Sequence, residues 1–120
     1  MFKLLLAIHK LNLLYKNKNA LENLSNIQKE EKILHENLFS IFYTVNEITY
    51  TYKSKNNIIY EFKHTNPKYG TNGLYISLNN DKYFRTLLYR KTIYNYYGEY
   101  FDRLDKNIEN KIIEDTKVLI

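Results

Sequence analysis

Proton transfer near neutral pH falls most naturally to histidine, and this 120-residue chain has three: His9, His35 and His64. They fall in three different predicted elements with no ligand-like spacing, so the sequence contains no metal-site pattern. His9 and His35 read as polar-face or rim residues of helices. His64 closes the aromatic side of a strand and reads first as a structural histidine. One reactive grouping is worth setting out. A small basic ribonuclease needs cations for the scissile phosphate and one or two proton-transfer groups. His64, Arg85, Arg90 and a neighbouring tyrosine are the residues a sheet would have to bring together, although nothing in their spacing requires it. Asp102 and Asp105 fall on a predicted polar helix face with no acid–base partner beside them. The zinc-protease HExxH pattern, phosphate-binding glycine loops, a dinucleotide fingerprint and a GxSxG elbow are all missing. With no cysteine, disulfides, thiolate metal sites and cysteine nucleophiles are excluded, and a reducing cytoplasm fits. No cofactor and no metal are expected.

Binding chemistry is better represented. Residues 1–46 carry a net charge of +2, residues 47–98 carry +5, and residues 99–120 carry −2. Residues 47–98 also hold ten of the thirteen tyrosines. Cations beside aromatic rings are what a nucleic-acid surface uses: lysine and arginine for phosphates, rings for stacking bases. The candidate anion-binding residues are Lys53, Lys55, Lys63, Lys68, Lys82, Arg85, Arg90 and Lys91. Lys53 and Lys63 are expected to share the face of a hairpin opposite its aromatic side. A solvated basic face that keeps a tyrosine-rich protein soluble would carry the same residues. Tyr94 and Tyr96, at the edges of an aromatic stripe, are candidate partner contacts. Together with Leu119 and Ile120 they would also suit a homodimer.

The elements that must position these residues follow from periodicity. The length suits one domain, residues 1–120, and 44% hydrophobic with 16% aromatic residues is enough for one core. Leu4, Ile8, Leu11 and Tyr15 recur at helical spacing, with Leu5 and Leu14 widening the stripe. His9 and Lys10 interrupt this apolar run and no small-residue cleavage site follows, so an amphipathic helix is expected in place of a signal peptide or membrane span. No membrane partner is expected. Ser25 with Gln28 has the form of a capping box, and Glu30 and Glu31 follow in the first turns. A second helix is therefore expected, with Ile27, Leu34, Leu38, Ile41 or Phe42, and Val45 as its apolar stripe.

The period then changes to two. Ile48, Tyr50 and Tyr52 alternate with Thr49, Thr51 and Lys53, and Ile58, Tyr60, Phe62 and His64 alternate with Ile59, Glu61 and Lys63. A three-residue loop at Lys55, Asn56 and Asn57 would set Tyr52 opposite Tyr60 and Tyr50 opposite Phe62, with Asn57 left-handed. "LYISL" (74–78) reads as a third strand. "YFRTLLYRK" (83–91) reads as a fourth paired with it, or else as a helix starting at Asp81. In "YRKTIYNYYGEYF" (89–101) a helical wheel gathers Ile93, Tyr97, Tyr100, Phe101, Leu104 and Ile108 on one side. That places most of the tyrosine cluster on a core-facing helix.

The expected fold is α+β: two N-terminal helices, a three- or four-stranded antiparallel sheet and a C-terminal amphipathic helix. The expected function is that of a small non-enzymatic binding protein with a basic, tyrosine-bearing sheet surface. Its partner would be nucleic acid or an acidic or nucleic-acid-handling protein. Heavy use of Asn, Lys, Ile and Tyr reflects A/T-rich codons and suits an accessory or inhibitor protein of a mobile element or phage. A ribonuclease-like enzyme and a self-associating structural subunit are the alternatives.

Overall fold

The computed structural model of the protein describes residues 2–38, 41–66, 72–78, 81–87, 92–94 and 106–119. The first apolar stripe forms the inner side of helix α1 (Phe2–Lys16), where Leu4, Ile8, Leu11 and Tyr15 are buried. Ala7 and Leu14 complete that side, whereas Leu5 is exposed rather than part of it. A short second helix follows, α2 (Lys18–Glu22), whose first turn is capped by the Asn17 side chain accepting from the Ala20 amide at 3.1 Å.

Residues 28–53 overturn the expected second long helix. Strand β1 (Gln28–Leu38) pairs antiparallel with β2 (Ile41–Lys53) along its whole length, and Asn26, at φ 61°, turns the chain into it. The physical reason lies in β2, where Ile41, Phe42, Tyr43, Thr44 and Val45 are β-branched or aromatic and favour a pleated surface. Once β2 is extended, it supplies β1 with a full ladder of hydrogen-bonding partners, which outweighs the helix propensity of the glutamates and lysines there. Those residues also pair with strand periodicity: Lys29 with Glu31 and Lys32 with Glu30, each at 3.3 Å. Residues two apart share a strand face but not a helix face. The charges stand on an edge of the sheet and resist further strand pairing there.

From β2 onward the register follows the expectation. Strand β3 (Ile58–Asn66) sets Tyr60 against Tyr52 and Phe62 against Tyr50. The turn closes through Ser54 N–H to Ile58 O at 2.9 Å, leaving Lys55, Asn56 and Asn57 as the loop, with Asn57 at φ 62°. Strands β4 (Gly73–Leu78), β5 (Asp81–Leu87) and β6 (Thr92–Tyr94) continue the meander, with a register shift between Ile76 and Ser77. The segment after Asp81 is thus a strand paired with β4. Among the described residues the sheet has six antiparallel strands in sequential order, two more than the upper expectation.

The C-terminal helix α3 (Lys106–Leu119) begins well after Ile93. Ile93 itself lies in β6 opposite Thr86, and residues 95–105 of the expected aromatic helix lie outside the described residues. The inner side of α3 is formed by Ile112, Asp115 and Thr116, with Ile108 and Leu119 packed against the core. Leu119, a candidate dimer residue, is thus partly buried against the core, and Ile120 lies outside the described residues. All three helices meet one face of the sheet in a single core with Tyr50, Ile58, Tyr60, Phe62, Leu74 and Ile76, giving the α+β class. No helix among the described residues is long and apolar enough to cross a membrane.

Candidate functional site

Among the described residues, three hydrogen-bonded knots each tie one helix to the sheet. The first joins α3 to the β2–β3 hairpin. Asp115 is buried, and its carboxylate accepts from the Tyr60 hydroxyl at 2.6 Å and from Asn56 Nδ2 at 2.8 Å. Asn56 also donates to the Lys111 carbonyl at 3.4 Å, so the turn is latched onto α3 at two points. Burial, then the bond to Asp115, pushes the Tyr60 phenol far above its ordinary value. This hydroxyl holds its proton and acts as a fixed donor.

The second knot joins α2 to the first two strands. Glu22 Oε1 accepts from the Tyr50 hydroxyl at 2.9 Å and from Lys29 Nζ at 3.2 Å, while the Lys29 ammonium lies 5.9 Å from the Tyr50 ring centroid. The Tyr50 bond, followed by that from Lys29, holds the Glu22 carboxyl below its usual 4.5. Because folding lowers this pKa, the contribution of Glu22 is complete above the unfolded value of 4.5 and is lost as pH falls through the lower folded value. Replacing Glu22 by glutamine is therefore expected to flatten the acid limb of the stability–pH profile below 4.5, as read from urea midpoints across that range. A variant with the same acid limb as the parent chain would show that the bond carries no linkage.

The third knot joins α1 to β3 and β4. The Tyr15 hydroxyl donates to the Lys63 carbonyl at 2.8 Å and to Asn72 Oδ1 at 3.4 Å. Asn72 in turn accepts from the Thr65 amide at 2.8 Å and donates to Thr65 Oγ1 at 2.6 Å. Burial pushes the Tyr15 phenol up to about 12. Its ring stacks on His64, with centroids 4.1 Å apart and planes 8° from parallel, and Tyr50 meets the same imidazole edge-on at 6.1 Å. His64 is thus clamped between α1 and β2 with its Nε2 buried, a packing position.

Of the residues grouped for a ribonuclease, His64 and Arg85 occupy register positions of opposite sheet faces, and Tyr15 and Tyr50 adjoin His64. His64 stands on the helix-covered face of β3. Arg85 pairs with Tyr75, at a register position of the opposite face, and Arg90 lies outside the described residues. Among the described residues no group of three histidine, aspartate or glutamate side chains is placed to hold a metal ion. His9 is exposed on α1, and His35 is exposed on a strand, where a helix was expected.

The proposed anion-binding residues divide. Lys53 ends β2 and Lys55 lies in the β2–β3 turn, both exposed and without an ion pair among the described residues. Lys82 occupies the start of β5, at the same end of the sheet, since Ile58 after one turn pairs with Leu78 before the other. Lys63 departs from the expectation of an open basic face. It is mostly covered, lies 3.8 Å from Glu61 and 5.3 Å from the Tyr75 ring centroid. Val45, Glu47, Thr65, Tyr75 and Ser77, on the same second face, are buried as well, so that face is not a continuous solvated surface. Tyr94 lies in β6 opposite Arg85, while Lys68, Lys91 and Tyr96 lie outside the described residues.

The knots around Asp115 and Glu22 were not anticipated. Asp115 stands beside Glu114 and Lys117 in sequence, and Glu22 lies in a short polar stretch after Lys18, where a solvated role is the ordinary reading. Only contact with a distant tyrosine distinguishes them. Comparison with protein-family models, curated proteins and solved structures finds no match for this chain.

Proposed function

We propose that this chain is a non-enzymatic binding protein whose lysines at the turn end of the sheet engage a polyanion, either nucleic acid or an acidic nucleic-acid-handling protein. The observation that carries this reading is the contrast among its charges. Glu22, Lys29, Lys63 and Asp115 are consumed by internal contacts, whereas Lys53 and Lys55 are exposed and unpaired among the described residues. Charges that stabilise nothing internally remain available to a partner at little cost in fold stability. Tyrosine plays a smaller part than in the expectation from sequence, because Tyr15, Tyr50, Tyr60 and Tyr75 are buried. Small size, the lack of cysteine and A/T-rich residue usage fit an accessory or inhibitor protein of a mobile element or phage, acting in the cytoplasm.

Salt dependence tests the proposal. Retention of RNA or DNA on a filter is expected to fall steeply with ionic strength, because each phosphate contact releases counterions. Combined Lys53→Gln, Lys55→Gln and Lys82→Gln changes are expected to reduce the slope of log affinity against log salt by about two to three. If nucleic acid is retained with an unchanged slope, these lysines are not the contact. If neither nucleic acid nor an acidic protein is held at low salt, the proposal fails.

A further inference from the structure

The outer side of α1 combines two features that do not help the fold. Leu5, Leu6 and Leu13 are 43%, 44% and 52% exposed, on a helix whose inner side already supplies Leu4, Ile8 and Leu11 to the core. Leu6 and Leu13 lie two turns apart, so they stand one above the other. Lys3 and Lys10 flank them on one side, His9 and Lys16 on the other. Residues 1–21 contain no aspartate or glutamate, and Lys3, Lys10 and Lys16 form no ion pair among the described residues. Lys18, by contrast, interacts electrostatically with Glu22.

We propose that this face of α1 is a peripheral docking surface for a bilayer carrying anionic lipid. Charge complementarity selects the partner. A second copy of the chain would bring like charges together across a two-fold contact, which opposes self-pairing through this face. Three leucines also offer far less than the roughly 800 Å² that one protein contributes to a standard interface. A lipid surface needs no matching shape. Each leucine enters the boundary between headgroups and acyl chains on its own, and each lysine meets a lipid phosphate on its own. The helix, ~22 Å long, is already held by its inner side and lies flat without any folding step. This surface is distinct from the sheet-end lysines and does not depend on them.

Co-sedimentation of the full chain with vesicles tests it. Retention is expected on phosphatidylcholine vesicles containing phosphatidylserine, not on phosphatidylcholine alone, and is expected to weaken with added salt. Leu6→Ser with Leu13→Ser is expected to lower the partition coefficient at least about tenfold, and Lys3→Gln, Lys10→Gln and Lys16→Gln together by about a hundredfold. Thermal melting confirms that these surface variants fold. Lys53→Gln with Lys55→Gln should sediment as the parent chain does, which keeps this result separate from polyanion binding at the sheet end. The proposal is overturned if the parent chain stays in the supernatant with phosphatidylserine vesicles at low salt, if it binds both vesicle types equally, or if the leucine variants sediment unchanged. Capture on poly-glutamate beads that is lost with Lys3→Gln, Lys10→Gln and Lys16→Gln but kept with Lys53→Gln and Lys55→Gln, without vesicle retention, would assign the face to an acidic protein and overturn lipid docking too.

Discussion

Replacing Phe62 by alanine is expected to lower the unfolding free energy by roughly 3–5 kcal/mol. Phe62 is fully buried in β3, with Tyr50 opposite it in β2 and Leu74 opposite it in β4. Its ring belongs to the core that α1, α2 and α3 also enter. Removing it forfeits the transfer free energy of the ring and leaves a cavity that paired strands on both sides cannot close. In urea the midpoint should fall with little change in slope. Lys53→Ala on the neighbouring strand, exposed and unpaired among the described residues, should shift stability by less than about 0.5 kcal/mol. Similar small losses at both positions would mean that Phe62 is not at the centre of the core.

Asp115→Ala should cost about 2–4 kcal/mol, although the change removes a buried charge. Asp115 accepts from both Tyr60 and Asn56, so its loss leaves a buried phenol and a partly buried amide as donors without their acceptor. A double-mutant cycle isolates this cause. Tyr60→Phe alone loses one charge-assisted bond, roughly 1.5–3 kcal/mol. Added to Asp115→Ala, it removes the orphaned hydroxyl, and the double variant should be more stable than the sum of the single losses predicts. Strict additivity would show that the 2.6 Å contact is not energetically coupled.

These two sites differ in how far they can be read from residue order. Phe62 and its neighbours follow from alternation. Once Ile48–Lys53 and Ile58–His64 are seen as period-two segments, the three-residue loop and the partners Tyr50 and Tyr60 follow, as does the left-handed Asn57. Asp115 does not follow in this way. Its carboxylate sits on the inner side of α3, between Ile112 and Leu119, where a helical wheel expects an apolar residue. It is tolerated there because Tyr60 and Asn56, more than fifty residues away in the chain, supply its donors. The reading of residues 25–45 as helix went wrong for a related reason. A capping pattern and widely spaced apolar residues are local cues, and the ladder with β2 overrode them. One local cue did point correctly: Lys29, Glu30, Glu31 and Lys32 alternate so that opposite charges lie two apart, a spacing that pairs on a strand.

The functional proposals divide along the same line. An excess of cations in residues 47–98 is a property of composition, but exposure selects among them. Lys53 and Lys55 stand clear at a turn, and Lys63 is drawn onto Tyr75 and Glu61. The leucines of α1 are equivalent by type. Helical spacing already sets Leu4, Leu11 and Leu14 on one side, and the structure buries these. It leaves Leu5, which spacing places with them, exposed beside Leu6 and Leu13.

Residue order by itself determined what depends on near neighbours: the helix of residues 2–16, the pairing of β2 with β3 and its turn, and the α+β class. Each is governed by side-chain periodicity or by the conformational tolerance of single residues, which act over a few positions. The tertiary structure alone decided the fate of residues 28–45, the choice between strand and helix after Asp81, which acids became internal acceptors, and which lysines stayed outside. Those outcomes depend on burial and on partners far away in the chain, and neither is encoded within the few residues that set a local conformation.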